Sequence, residues 1–177
     1  MTALGDMTIA WNVAESTYRQ LLNILIGTPT ALISTAELGA RGMDDALTTF
    51  ANDVLPSPTA QAVHHAVKYM GILRGYRNYY AHGIQLFVQS AQGPIGIIRV
   101  ASAKGKAISH DERVPLDKIE FVTQHAKILG VYLVNVMVYV GLSQVPKPPP
   151  LPEAPALPAK LVKPHRNLRS LWTPPQP

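Results

Sequence analysis

The sequence of 177 residues contains no cysteine, and this absence excludes disulfide bonds and thiolate metal sites. It also lacks internal repeats and a glycine-rich phosphate-binding loop. Charged residues are scarce, at 15% of the chain, whereas hydrophobic residues make up 47%. This balance excludes a wholly disordered protein and favours a well-buried body or an obligate oligomer. The length suits one domain with a core, followed by a tail.

Targeting and membrane signals are also missing. Asp6 and no basic cluster stand before the first apolar residues, which is unlike a secretory signal. The most apolar run, residues 128–142, contains Asn135 and is shorter than the roughly 20 residues that a membrane span needs. We therefore expect a cytoplasmic protein that does not enter a membrane.

No pattern of metal ligands is recognisable. Four histidines lack the spacing with carboxylates that a metal ion requires: His64, His65, His110 and His125. Asp44 and Asp45 are neighbours and would point about 100° apart on a helix, which favours a solvated face over an acidic metal pair. We expect neither a metal ion nor another cofactor.

The formal net charge of +5 is concentrated at one end of the chain. Up to Val145 there are 11 basic and 10 acidic residues, whereas the remainder has five basic residues and one acidic residue. The body is therefore close to neutral. A basic surface on it has to be local, of the kind that two neighbouring arginines on one helix would make.

Apolar residues recur at every third or fourth position in four segments, which predicts four helices. We expect these helices at residues 6–26, from about 34 or 42 to 54, at 58–82 and at 115–141. Gly27 closes the first helix, and a capping box of Ser34 and Glu37 fits the start of the second, although a start nearer Gly42 stays open. The alternating pattern in residues 84–114 predicts a small antiparallel hairpin or meander.

From Pro146 onward the composition changes, because prolines crowd together with too few apolar residues to form a core. We expect a helical domain at residues 1–145 and a basic, proline-rich, disordered tail at residues 146–177. The predicted fold class is mainly α. It is a four-helix up-down bundle with the hairpin or meander inserted between its third and fourth helices.

The end of the third helix carries polar residues that a helix end does not require: Arg77, Asn78 and His82. A helix advances about 100° per residue, which places Arg77 close to the apolar stripe of this helix. A guanidinium there needs a carboxylate, a carbonyl or an anion such as phosphate, because it cannot lose its charge. Asn78 and His82 share a different face with Arg74.

Four helices, a hairpin before the fourth, and Arg77-Asn78, three residues and His82 at the end of the third resemble the HEPN family. Its members are nucleotide- and RNA-associated helical bundles. Their motif is an arginine and a histidine separated by four to six residues, commonly with a polar residue after the arginine. The resemblance covers roughly residues 6–142, but only the third helix carries diagnostic residues.

Many HEPN proteins are metal-independent endoribonucleases, often toxins of toxin–antitoxin or phage-defence systems, and their dimers join two motifs in one cleft. The resemblance implies that His82 is the general base or acid when a ribose 2′-hydroxyl attacks the adjacent phosphate. It implies that Arg77 stabilises the phosphoryl charge and that Asn78 orients the substrate. It further implies RNA as substrate, a homodimer, and a nucleotidyltransferase-like antitoxin as partner.

Three residues beside the motif are candidates for RNA contacts: Arg74, Tyr79 and Tyr80. The arginine would meet a phosphate and the tyrosines would stack on bases, unless the tyrosines belong to the core or a dimer interface. His82 followed by Gly83 also fits a plain helix end, where a histidine bonds the last carbonyls. The alternative function is a non-catalytic helical interaction or nucleotide-binding module.

Overall fold

The computed structural model describes residues 3–28, 35, 37–90, 93–98, 113–114, 116–143 and 145–161. Side chains are described in these ranges except at residues 81–98 and 113–114. The described chain is mainly helical and forms a bundle. Its four long helices are α1 (Ala3–Ile26), α2 (Ala40–Val54), α3 (Ser57–Gly83) and α4 (Leu116–Leu142).

The ends of α1 and α2 follow from local backbone chemistry. α1 begins three residues before its predicted start and ends where Gly27 adopts φ +69°, a left-handed conformation that glycine tolerates best. The Gly27 amide donates to the carbonyl of Asn23 at 3.0 Å. α2 begins at Ala40 after Gly39, which makes no side-chain cap. The observed start is close to the alternative near Gly42, so the capping box of Ser34 and Glu37 does not begin this helix; Ser34 itself lies outside the described residues.

Three strands stand between α3 and α4: β1 (Ile84–Ser90), β2 (Gly93–Ile98) and β3 (Arg113–Val114). They form one antiparallel sheet in the order β1-β2-β3. The pairing of β1 with β2 runs from Ile84 opposite Ile98 to Ser90 opposite Gly93. Residues 99–112, which connect β2 to β3, lie outside the described residues.

α1 and α4 run in the same direction, and α3 runs against both. Met7 near the start of α1 and Ile119 near the start of α4 pack in one cluster with Tyr80 near the end of α3. Further along α4, the hydroxyl of Tyr132 donates to the carbonyl of Ala62, near the start of α3. These contacts are incompatible with an up-down bundle, in which α1 and α4 are antiparallel.

The up-down prediction fails at the connection between α1 and α2. α2 runs against α3, because only two residues separate them and Asp44 near the start of α2 contacts Arg74 towards the end of α3. α1 and α2 therefore point the same way. Residues 27–39 connect the two helices and could span about 40 Å if fully extended. The helix α2 is roughly 22 Å long, so this connection is long enough to carry the chain back before α2 begins and to let α2 run parallel to α1. Short loops would have forced antiparallel neighbours.

Two clusters of buried side chains form the core. The larger joins all four helices, and its fully buried large residues include Tyr18, Leu47, Tyr69, Leu129 and Leu133. The smaller lies at the end of the bundle where α3 terminates and consists of Met7, Tyr76, Tyr80, Ile119 and Val122. Each large apolar side chain contributes about 1.5–3 kcal/mol through burial.

By length and composition, α4 is the one described helix that is apolar enough to span a membrane, with a mean hydropathy of 1.5 over 18 residues. A central helix of a bundle has the same composition. In the structure α4 contributes Leu129, Leu133 and Val136 to the core and packs against both α1 and α3.

Residues 145–161 follow α4, and we call them the strap. From Pro149 onward the strap is partly buried, and it contacts α3 through Pro155 and Ala159. Leu151 and Leu157 pack against the larger core cluster, and Pro158 is buried. The prediction of a disordered tail is therefore wrong for the strap, because its leucines reach the core and its prolines leave little backbone freedom to lose. Residues 162–177 lie outside the described residues.

Candidate functional site

Arg77 and Asn78 occupy the last two turns of α3. Asn78 is exposed and Arg77 is half-buried. Nη1 of Arg77 donates a hydrogen bond to Oδ1 of Asn78 at 3.1 Å. The two polar groups are thus presented together at the surface, with the guanidinium oriented by the neighbouring amide.

The guanidinium of Arg77 also lies over the indole ring of Trp11 on α1, with its carbon atom 5.9 Å from the ring centroid. Trp11 is buried, and its Nε1–H donates to Oε2 of Glu15 at 2.9 Å. This geometry allows a cation–π interaction. The sequence predicts that Arg77 needs an anion or another acceptor, and the structure supplies an amide oxygen and an aromatic face from the chain itself.

Arg74 is held inside the bundle by Asp44 of α2. Its Nη1 lies 2.7 Å from Oδ2 of Asp44 and its Nη2 lies 3.1 Å from Oδ1. The hydroxyl of Tyr18 on α1 donates to the same Oδ1 at 2.7 Å. This pairing leaves Arg74 little free charge for an RNA phosphate, and it corrects the prediction that Asp44 lies on a solvated face.

The pKa values of Tyr18 and Arg74 are shifted by burial and by the Asp44 carboxyl group that both side chains contact. Burial, the Asp44 hydrogen bond and the Asp44 charge raise the pKa of Tyr18. Burial lowers the pKa of Arg74, but its hydrogen bond and charge pairing with Asp44 outweigh this and raise the pKa overall. The raised pKa values keep Tyr18 and Arg74 protonated, so both remain hydrogen-bond donors to the Asp44 carboxyl group.

The tyrosines near the motif differ in how well they can meet a base. Tyr80 is 5% exposed and stacks on Tyr76 at a ring-centroid distance of 6.3 Å, while Tyr76 packs against Phe121 of α4. Tyr79 is half-buried and meets Tyr80 edge to face at 5.4 Å. Tyr80 is thus a core residue without an open face for stacking, and only Tyr79 retains surface for an RNA base.

His82 lies in the final turn of α3, immediately before Gly83, where the motif requires it. Its side chain is outside the part of the structure in which side chains are described. The structure therefore brings Arg77 and Asn78 together directly, and it places His82 on the same helix one turn beyond Asn78.

A second titratable cluster lies further along α3 and α4. The hydroxyl of Tyr69 is 2.6 Å from Nδ1 of His125. Burial raises the pKa of Tyr69 to about 12 and lowers the pKa of His125. Among the described residues, no group of three or more histidines and carboxylates is arranged to hold a metal ion.

Two residues that contribute to the surroundings of Arg77, Trp11 and Glu15, were not predicted from the sequence. Their four-residue spacing on a helix was visible, but nothing in the sequence indicates that this pair faces the end of α3. The antiparallel packing of α1 and α3 creates the contact.

Comparisons of the chain with protein-family models, with curated protein sequences and with solved structures found no match. The resemblance to the HEPN family consequently depends on the motif in α3 and on the order of elements around it.

Proposed function

We propose that the protein is a metal-independent endoribonuclease of HEPN type that acts in a toxin–antitoxin or defence setting. The observation that carries this proposal is the joint presentation of Arg77 and Asn78 at the end of α3, with His82 following in the last turn. A fixed guanidinium and an amide at the surface suit recognition of a phosphate.

In the proposed reaction, His82 takes the proton from a ribose 2′-hydroxyl, and the oxygen attacks the adjacent phosphorus. The bond from phosphorus to the 5′-oxygen of the next nucleotide breaks, and that oxygen takes up a proton. The products are a 2′,3′-cyclic phosphate and a free 5′-hydroxyl. Arg77 stabilises the negative charge that builds on the phosphoryl oxygens, and Asn78 orients the phosphate.

A dimer fits this chemistry, because one histidine serves poorly as both base and acid within a single step. Arg77 and His82 are five residues apart, which on a helix means about 140° of rotation and about 7.5 Å along the axis. Two copies of α3 facing each other would supply two histidines and two arginines to one cleft. The proposal includes a nucleotidyltransferase-like antitoxin, which would block this cleft.

The alternative is a non-catalytic interaction or nucleotide-binding module. It is favoured by the contacts of Arg77, because the Trp11 ring and the Asn78 amide give this arginine a structural role without any ligand.

Incubation of the purified full-length chain with RNA in EDTA tests the proposal. We expect cleavage products that carry 2′,3′-cyclic phosphate ends, and we expect His82→Ala to abolish cleavage while the circular dichroism spectrum is unchanged. Arg41→Ala is the matched surface control, since Arg41 is almost fully exposed and distant in sequence from the motif. Cleavage that requires a divalent ion, or full activity in His82→Ala, would reject the proposal.

A further inference from the structure

The strap has a three-residue repeat in both its sequence and its burial. Prolines recur at positions 146, 149, 152, 155 and 158. The second, third and fourth of these are half-buried, and Pro158 is buried. The residues that follow each of them are all exposed: Lys147, Pro150, Glu153, Ala156 and Ala159. A repeat of three is the helical period of polyproline II, so one edge of such a helix faces the bundle.

Leucines extend this buried edge. Leu151 and Leu157 each stand directly before a proline of the repeat, and both pack against the larger core cluster. Leu161 packs against the smaller cluster, beside the end of α3. The docked sequence is therefore Leu-Pro-x-x-Pro-x-Leu-Pro over residues 151–158, with both Leu-Pro pairs held by the bundle.

The surface beneath the strap, which we call the strap groove, supplies side-chain hydrogen-bond donors to two of its backbone carbonyls. Nε2 of His65 lies 2.9 Å from the carbonyl oxygen of Pro155, and the hydroxyl of Tyr76 donates to the carbonyl of Ala159 at 2.9 Å. His65 packs edge to face against Tyr132 of α4 at 5.6 Å, and Tyr132 lines the groove beside Pro155.

These features match what a polyproline II helix requires of a receptor. Proline has no amide proton, so such a helix offers carbonyl acceptors and apolar ring edges but few donors. The strap groove offers aromatic walls and side-chain donors in return. Grooves lined with aromatic residues are the usual receptors for proline-rich segments.

We propose that the strap groove is a recognition site for proline-rich segments, filled in cis by the strap, and that a segment with the same Leu-Pro-x-x-Pro-x-Leu-Pro pattern on a partner protein competes for it. Binding in trans would release the strap from α3 and α4. The docked strap reduces the apparent affinity for a competitor in proportion to the fraction of time the groove is free.

Fluorescence anisotropy with a labelled synthetic peptide of residues 145–161 tests this in the full-length chain. Leu157→Asp together with Pro158→Asp should undock the strap and allow the peptide to bind. The matched control, Ala156→Asp with Ala159→Asp, adds the same charges on the exposed edge. We expect the control and the wild-type chain to bind the peptide at least about tenfold more weakly than the undocked variant, because their groove is occupied.

A second peptide, in which Pro155 exchanges places with Ala154 and Pro158 with Ala159, keeps the composition but breaks the three-residue repeat. It should bind the undocked variant at least about tenfold more weakly than the natural peptide. Equal binding of the two peptides would overturn the proposal, as would an undocked variant that is folded and binds neither.

A second experiment uses a single conservative substitution, so that the test does not depend on the double variant remaining folded. Tyr76→Phe removes one donor of the strap groove and should speed trypsin cleavage after Lys160 several-fold, because the strap leaves its groove more often. Tyr139→Phe on α4 is the matched control and should leave the cleavage rate unchanged. Equal rates in the two variants would also overturn the proposal.

Discussion

Arg74 and Asp44 meet through two short hydrogen bonds, of 2.7 and 3.1 Å, that join α3 to α2. Their side chains are only 21% and 22% exposed. Because Tyr18 of α1 donates to the same carboxylate, one acidic side chain connects three helices. This pair lies one turn from the candidate motif.

Asp44→Asn should destabilise the protein by about 2–3 kcal/mol, since it leaves the Arg74 guanidinium partly buried without a counter-charge. The free energy of unfolding from urea titration measures this loss. The matched control is Asp45→Asn, whose pairing with Arg41 involves side chains that are 74% and 95% exposed, and it should cost less than about 0.5 kcal/mol. Equal effects of the two substitutions would contradict this account of Asp44.

Stability should fall as the pH drops below the ordinary range of a histidine, in part because of His125. Burial lowers the folded-state pKa of His125, whose Nδ1 lies 2.6 Å from the hydroxyl of Tyr69. The unfolded chain takes up the proton near pH 6.5, whereas the folded chain resists it. The contribution is thus complete above that pH and is lost as the pH falls towards the folded-state pKa.

Thermal melting at pH 7 and pH 5 tests this contribution. His125→Asn keeps an acceptor for Tyr69 but does not titrate, so its melting temperature should fall less than that of the wild-type chain. Between pH 7 and pH 5, the wild-type chain should lose at most about 1 kcal/mol more stability than His125→Asn, because the imidazole is only partly buried. Identical pH dependence in the two proteins would show that His125 is not involved.

Substitution of alanine for glycine should change the stability of the protein in opposite directions at Gly75 and Gly27. Gly75 lies within α3 with nothing close to the position of a new Cβ, so Gly75→Ala should stabilise the protein by about 0.5–1 kcal/mol. Gly27 has φ +69°, and Gly27→Ala should destabilise it by about 1 kcal/mol. Urea titration of the two variants gives both values, and a loss of stability in Gly75→Ala would contradict the argument from open space and helix propensity.

Arg77→Ala should separate catalysis from structure. The cation–π contact and the exposed hydrogen bond to Asn78 contribute about 1 kcal/mol or less, whereas loss of a charge-stabilising group should slow RNA cleavage about 100-fold or more. Arg77→Lys keeps the charge without the planar fork and should recover activity only in part. A loss of about 3 kcal/mol in an inactive protein would favour the structural role.

The sequence predicted the helices well because helical periodicity is a local property. Residues 58–82 were expected in the third helix, and α3 covers Ser57–Gly83; Gly27 was expected to end the first helix, and it does. The direction of α1 relative to α4 was not predicted correctly. That direction depends on how residues 27–39 connect two helices, and periodicity carries no information about it.

The environment of single polar residues was harder to predict than the elements that carry them. Asp44 and Asp45 are adjacent and chemically identical, yet only Asp44 faces two donors from other helices. The strap shows a different limit. Its three-residue proline period was not recognised as a repeat from the sequence, and its groove exists only once α3 and α4 have packed together.

The direction of the helices has an electrostatic consequence at the motif. α1 and α4 begin at the end of the bundle where α3 terminates, so two amino-terminal helix ends lie beside one carboxyl-terminal end. Each helix end carries a partial charge of about half an elementary unit, positive at the amino terminus. In an up-down bundle these contributions would cancel. Here the peptide dipoles favour anions around Arg77 and Asn78, even though the formal charges of the helical body nearly balance.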